Sequence, residues 1–373
     1  MEKSKTGFRI VIKVGTSTLT AGKNGLDMPA ILNLVRQIAF LQNNGYEVIL
    51  VSSGAIAAGR EIMKKVDGSR HIPAKQMLAA IGQPRLMEIY SQLFRIYGLQ
   101  VAQVLLTRSD IAQRKGYINA RNTLAELLDQ KIVPIVNEND AVATEEIRVG
   151  DNDNLSALVA NLVEADQLIL LTDQNGLFTS DPRTDPNAEL IKEITAQDIP
   201  DAVWQAAGGT LSGLGIGGMF TKIKAADMAR RSGTTVYIAK GDANDILLKI
   251  VDGKNGGTKI SAIISKIESR KRYLIAGMKT SRSAIIMDHG AVEALRKGNS
   301  LLPIGIISTK GRFDRGDIVH MLQEDLKPIA IGLVNYDSDD VKSICKHRSE
   351  EIETILGYNF GDEVIHRSNL VLL

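Results

Sequence analysis

Phe8-Arg-Ile-Val-Ile-Lys-Val14, the stretch Pro29 to Asn44 and Glu47-Val-Ile-Leu-Val51 decide the fold. The first and last are short, nearly continuous apolar runs, the pattern of strands buried on both faces. Between them Ile31, Leu34, Val35, Ile38 and Leu41 recur at helical spacing, which puts an apolar stripe on one side of a helix. The theme repeats three times: Pro73 to Tyr97 leads to Gln100–Leu106, Arg121–Gln130 to Ile132–Val136, and Asp153–Val163 to Gln167–Leu171. Apolar strands alternating with amphipathic helices predict an α/β fold, a three-layer sandwich around a mainly parallel sheet. Ligands of such sheets sit beyond the carboxyl ends of the strands, so the residues just after each strand are the ones to weigh for chemistry.

The texture changes near Asp252-Gly-Lys-Asn-Gly-Gly-Thr258, a glycine-rich turn. Beyond it come short strand-like runs, Ser283–Met287, Gly305–Ser308 and Ile329–Leu333, which predict a small β-rich second domain. The expected division is residues 1–262, a linker over 263–275, and 276–373. With 373 residues, two or three domains are the expectation from length alone. Aromatic residues make up only 4% of the chain while glycine reaches 33 residues, so the core is aliphatic and many glycines serve backbone geometry. The balance of 45 basic against 43 acidic residues, a net +2, excludes a polycationic nucleic-acid binder. Cys345 is the sole cysteine, which excludes an intrachain disulfide and a cysteine-rich zinc site. With no export signal or membrane span visible, a cytoplasmic location is expected.

Five segments at strand ends and loops carry chemistry-bearing residues. Lys13-Val-Gly-Thr-Ser17 offers a lysine and bare backbone amides to a phosphate, although it is not a Walker A loop, and an edge-strand lysine in water reads equally well. In Val51-Ser-Ser-Gly-Ala55 either Ser52 or Ser53 could cap the next helix, and the same groups could hold a carboxylate or phosphate. Asn137-Glu-Asn-Asp140 follows a strand, where Asp140 could receive an ammonium. Gly150-Asp-Asn-Asp-Asn154 opens a helix with more acidic groups than capping needs, so Asp151 and Asp153 either face solvent or neutralise cations. Gly213-Leu-Gly-Ile-Gly-Gly-Met-Phe-Thr-Lys222 puts bare backbone and a lysine at a helix start, which suits a polyphosphate. Two lysines, carboxylates to organise them and glycine-rich turns on a parallel sheet point to phosphoryl transfer.

In this order, and with Leu171-Thr-Asp173 between the last two, the motifs resemble the amino acid kinase family, in particular its members that phosphorylate the side-chain carboxylate of glutamate. The likeness runs over the whole chain, because Ser300-Leu-Leu-Pro303, Gly311-Arg-Phe-Asp-Arg-Gly-Asp317 and Ile365-His-Arg367 resemble a PUA domain. The resemblance implies the amino acid kinase fold, ATP with its Mg²⁺ as co-substrate, and L-glutamate as acceptor. It implies that Lys13 and Lys222 stabilise the transferring phosphoryl group while Asp153 positions both. Ser53, Asp140 and Asn152 would bind glutamate; Lys13, Thr172, Asp173, Ile216, Gly217, Gly218, Met219, Phe220, Thr221 and Lys222 would form the ATP site. No protein residue is assigned to a metal. Phe220 departs from the expected small hydroxyl residue, a change that could alter nucleotide affinity. L-proline is implied as a feedback inhibitor, with Thr144 to Val149 as control segment, and a homo-oligomer, dimer or tetramer, is implied too.

Two alternatives remain open at this level. Another amino acid kinase would act on N-acetylglutamate, aspartate, carbamate or UMP; Asp140 speaks for a free ammonium and against an acetylated one. RNA binding by the PUA-like tail ranks below catalysis, since basic and acidic residues nearly cancel from Arg270 onward.

Overall fold

The computed structural model describes residues 7–63, 71–143, 151–208, 218–254, 256–278 and 283–373. They form two compact units, one containing residues up to Ile111 and Ala120–Lys266, the other Ala112–Asn119 and Ile267–Leu373.

The first unit begins with β1 (Arg9–Val14), α1 (Thr16–Thr20), α2 (Met28–Asn43), β2 (Glu47–Ser52), α3 (Ala55–Met63), α4 (Ile72–Ile96) and β3 (Val101–Leu106). The chain continues through α5 (Arg108–Ala112), α6 (Arg114–Asp129), whose first residues belong to the second unit, β4 (Val133–Glu138), α7 (Asp151–Leu162), β5 (Gln167–Thr172), β6 (Leu177–Phe178), β7 (Leu190–Ile191) and β8 (Glu193–Ile194). Then follow α8 (Asp201–Ala206), α9 (Met219–Arg231), β9 (Thr235–Lys240), α10 (Ile246–Val251) and β10 (Thr258–Ile260). Eight strands make one sheet in the order β3-β4-β2-β1-β5-β9-β10-β8. Every neighbouring pair is parallel except β9 and β10.

Strand β1 lies between β2 and β5, so the chain winds outward from it in both directions and the crevice at its carboxyl end is a topological switch point. Its alternate residues explain its place. Ile10, Ile12 and Val14 join α2, α4 and α10 in one core, while Val11 is buried on the other face, where α7 packs against β1 and β5. Helix α2 keeps the stripe read from the sequence and starts at Asp27, whose side chain accepts from the Ala30 N–H at 3.0 Å.

Helices α3 and α4 touch backbone to backbone. A Cβ on Gly59 would stand 2.0 Å from the Leu78 carbonyl oxygen, and one on Gly82 1.9 Å from that of Ala55. Only hydrogen fits at this crossing, which fixes α3, and with it the turn Ser53-Gly54, against α4.

The second unit contains α11 (Lys266–Met278), β11 (Ala284–Met287), α12 (His289–Arg296), β12 (Ile306–Lys310), β13 (Ile318–Gln323), β14 (Pro328–Leu333), α13 (Ser338–Ile344), α14 (Ile352–Leu356) and β15 (Leu370–Leu372). Its sheet has the order β12-β11-β13-β14-β15, and its core includes Ile285, Val319, Ile331 and Tyr336. The expected linker over 263–275 is largely the helix α11, with Glu268 and Arg272 paired one turn apart and Leu274 buried. Its charges disguise it as linker in the sequence. Residues 112–119 join the second unit from within the first stretch of chain, which no contiguous division anticipates.

Candidate active site

Among the described residues, the carboxyl ends of β1, β2, β4 and β5 and the start of α9 enclose a cleft of about 1280 Å³. That exceeds the usual volume of a single small-molecule site, roughly 300–1,000 Å³, and leaves room for two substrates.

At its base, one carboxylate holds two lysines. Asp153, in the first turn of α7, is fully buried. Its Oδ1 lies 2.8 Å from Nζ of Lys13, near the end of β1, and its Oδ2 lies 3.2 Å from Nζ of Lys222 on α9. Thr221 Oγ1 also donates to Oδ2 at 2.7 Å. Burial pushes the Asp153 carboxyl up, but Lys13 and Lys222, with the hydrogen bonds from Lys13 and Thr221, hold it below the usual carboxylate range. Burial and the neighbouring Lys222 bring Lys13 below its ordinary value despite Asp153. The helix start of α7 adds a favourable partial charge for the carboxylate. Two cations around one anion leave a surplus positive charge, and both lysines line the cleft.

The opposite chemistry lies beyond β2 and β4. Asn152 Nδ2 donates to Ser53 Oγ at 2.9 Å and to Asn137 Oδ1 at 3.1 Å. Ser53, Asn137, Asp140 and Asn152 all line the cleft. Asp140 is partly buried, and that burial pushes its carboxyl up to about 6. A carboxylate held in this way gains most from an ammonium ligand.

The serines separate cleanly. Ser52 is buried, its hydroxyl 2.8 Å from the Tyr90 hydroxyl and donating to the Ser53 carbonyl. Neither serine caps α3, which starts after Gly54, whose carbonyl accepts from the Ala58 N–H. Ser53 alone faces the cleft.

Thr172 and Asp173 line the cleft after β5, the threonine hydroxyl donating to Asp173 Oδ1 at 3.0 Å. Gly218 precedes α9 with φ +83°, a conformation that glycine adopts freely, and no side chain caps the helix, so its first N–H groups suit an anion. Gly218, Met219 and Lys222 line the cleft. Thr221 and Phe220 do not: Thr221 turns to Asp153, and the Phe220 ring packs edge-on against Trp204 of α8 at 5.5 Å. Ile216, Gly217 and the segment Thr144 to Val149 lie outside the described residues, as does the side chain of Asp151.

Sequence reasoning missed three parts of the wall. Residues 177–183, β6 and the turn that follows it, line the cleft, with Arg183 bound through Nε and Nη2 to both oxygens of Asp181 at 3.0 and 2.8 Å, which holds the Asp181 carboxyl down at about 2. Helix α8 closes another side, and Arg60 and Lys75 add cations at the rim. The run Ser180-Asp-Pro-Arg183 after a strand was the available signal for the first.

The amino acid kinase family model matches residues 8–240, and the PUA domain model matches residues 283–356. The chain is 50% identical over 366 residues to the glutamate 5-kinase of Shewanella oneidensis, covering 98% of each chain. It is 48% identical over 367 residues to that of Deinococcus radiodurans, covering 98% of this chain and all of the relative. Among solved structures, UMP kinase from Ureaplasma parvum is similar over 68% of this chain and 98% of its own, at 14% identity and a TM-score of 0.46.

Proposed function

The chain belongs to the amino acid kinase family, among its glutamate 5-kinases, and from that premise we infer how its cleft transfers the γ-phosphoryl group of ATP to the side-chain carboxylate of L-glutamate, giving L-glutamyl 5-phosphate and ADP in the biosynthesis of proline. The observation that supports the assignment of roles is the single carboxylate of Asp153 bridging Lys13 and Lys222.

A glutamate side chain, with a pKa near 4.3, is already ionised at neutral pH, so the acceptor needs no general base. The barrier lies in bringing this anion to an anionic phosphate. Lys13 and Lys222 meet the equatorial charge of the transferring group, and Asp153 keeps the two cations at fixed positions through the reaction. Thr221 acts on Asp153 and thereby on Lys222. The uncapped start of α9 with Gly218 and Met219, and Thr172 with Asp173, hold the nucleotide. Ser53, Asn152 and Asp140 hold the amino-acid end of glutamate, Asp140 meeting its ammonium. That contact favours glutamate over N-acetylglutamate, whose amide nitrogen carries no charge.

Mg²⁺ travels with ATP and supplies charge neutralisation of the phosphates. Bound that way it needs one or two protein carboxylates at most, and Asp173, which lines the cleft after β5, would supply one.

L-Proline shares the α-carboxylate and a cationic α-nitrogen with glutamate, so it would compete at Ser53, Asp140 and Asn152 as a feedback inhibitor. Apolar side chains exposed on α3 and α4, Ile62, Met63, Ile72 and Met77, support a homo-oligomer. No helix among the described residues is long and apolar enough to cross a membrane, and we place the reaction in the cytoplasm. ADP release measured across a panel of amino acids, with hydroxylamine trapping of the acyl phosphate, tests nucleotide, acceptor and bond together. Turnover with N-acetylglutamate and none with glutamate would overturn the assignment of the acceptor end.

A further inference from the structure

Phe220 and Trp204 join two elements of the cleft wall without lining the cleft themselves. Their rings meet edge-on at 5.5 Å, one in the first turn of α9 and the other on α8. Ala202, Val203, Gln205 and Ala206 of α8 line the cleft, whereas Trp204 packs on Phe220 instead. Helix α8 is held independently of that contact. Ile199 and Val203 are buried, and at the far end of α9 the fully buried Arg230 donates from Nη1 to the Ala196 carbonyl and from Nη2 to the Gln197 carbonyl, both at 2.7 Å. Trp204 is therefore a fixed abutment, and Phe220 is the partner that rests on it.

The first turn of α9 follows Gly218 and has no side-chain cap, and helix ends fray unless something holds them. Lys222 belongs to that turn. At about 100° per residue, Phe220 and Lys222 lie on nearly opposite faces of the helix, so the turn is gripped from two sides. On one side Lys222 Nζ and Thr221 Oγ1 bind Asp153 of α7 at 3.2 and 2.7 Å; on the other Phe220 rests on Trp204. The first grip is a carboxylate shared with Lys13, reached through a long and flexible stem. The second fixes the backbone from which that stem extends. We propose that Phe220 is a positioning residue for the phosphoryl transfer: seated on Trp204, it fixes the first turn of α9 and thereby the ammonium of Lys222. The proposal rests on the reading of Lys222 as a group that meets the transferring phosphoryl. Because the ring does not line the cleft, its loss leaves the substrate constants nearly alone and reduces the fraction of molecules with Lys222 aligned, which lowers kcat. An edge-on ring pair shifts an equilibrium by about 2- to 10-fold, which sets the scale of the fall.

ADP-release kinetics of Phe220→Ala, Lys222→Ala and the double variant test this, together with tryptophan fluorescence, since Trp204 is the sole tryptophan of the chain and its emission reports the ring contact directly. Phe220→Ala should change that emission, lower kcat about 3- to 10-fold and leave the KM for ATP and for glutamate within about threefold. In the Lys222→Ala background the same substitution should lower kcat no further, because the residue through which Phe220 acts is gone. An unchanged emission, an unchanged kcat, or a loss that multiplies with that of Lys222→Ala overturns the proposal, the last because a merely structural defect adds to any other. If Lys222→Ala by itself keeps wild-type turnover, the reading of that lysine falls and takes the proposal with it; if it loses turnover while Phe220→Ala does not, only the positioning role fails. Should Phe220→Ala not fold, the contact is cut from the other helix: Trp204→Ala should reproduce the fall in kcat and Trp204→Phe, which keeps a ring against Phe220, should stay near wild type, whereas an equal loss in both refutes the proposal.

Discussion

Asp140 offers a test in which stability and function move in opposite directions. Its carboxyl is pushed from an ordinary 3.8 to about 6 because burial disfavours the charge, so at neutral pH the unliganded protein carries an ionised group that the fold resists. A pKa unit corresponds to about 1.4 kcal/mol, which sets a ceiling of about 3 kcal/mol on the penalty; Asp140 retains some solvent contact, so about 1–3 kcal/mol is the working range. The sign follows from proton binding. Between 3.8 and about 6 the folded protein holds this proton more tightly than the unfolded chain, so stability falls as pH rises through that window and the penalty is constant above it. Asp140→Asn removes the titration and the penalty together.

Scanning calorimetry without substrates should therefore show Asp140→Asn melting higher than wild type at pH 7.5, by about 2–4 °C for each kcal/mol in a unit of this size. The gain should be about halved at pH 5 and nearly absent below pH 4, following the linkage integral. The same substitution should raise the KM for glutamate by about 10- to 100-fold, the value of one hydrogen bond to a charged group, and should abolish the thermal shift that glutamate gives to wild type. A melting temperature at pH 7.5 equal to or below wild type, or a gain that does not depend on pH, refutes the reasoning about burial. A higher melting temperature with an unchanged glutamate KM refutes the reasoning about the ammonium.

Lys222→Ala should fold while kcat falls about 10²- to 10³-fold, as measured by ADP release, because the lost charge faces the transferring group. Asp153→Asn should lose turnover to a similar degree and also melt lower, by an amount corresponding to about 3–5 kcal/mol, since two lysines then share a site with no buried anion. Gly82→Ala drives a Cβ into the Ala55 carbonyl and should both destabilise the protein in a urea titration, by about 1–3 kcal/mol, and raise the glutamate KM through the displaced Ser53 turn. Phe220→Ser should change the KM for ATP by less than about threefold while costing about 1 kcal/mol of stability, because the ring packs on Trp204 and not on the cleft.

The parallel unit was legible in the sequence because its strands and helices follow two clean periodicities, and strand ends then pointed to Lys13, to the Ser52-Ser53 pair and to Asp140 without any contact information. Asp153 was legible only in part: the excess of acid at a helix start marked it as neutralising something, and the structure supplies the partners from β1 and α9. Other features had no local signature. The choice between Ser52 and Ser53 depends on Tyr90, 38 residues away. Residues 112–119 share a periodic helix with their neighbours yet belong to the second unit, so no boundary shows in their composition. Phe220 read as a nucleotide contact because its position in a glycine loop was visible, whereas its partner Trp204 on the six-residue helix α8 was not.

The near-zero total charge conceals a separation that the chemistry requires. At the phosphoryl end one buried carboxylate is outnumbered by two lysines, leaving the site cationic before any substrate arrives. Beyond β2 and β4 the partly buried carboxylate of Asp140 is ionised at neutral pH against the resistance of its burial. On the proposed roles, glutamate would bridge these two poles with its ammonium toward Asp140 and its side-chain carboxylate toward the lysines, because the reverse places like charges together. At an effective dielectric near 20, even one such mismatch at 4 Å costs about 4 kcal/mol, about a thousandfold in affinity. On the proposed roles, charge polarity would thereby favour phosphorylation of the distal carboxylate: the α-carboxylate stays tied beside the ammonium, away from Lys13 and Lys222.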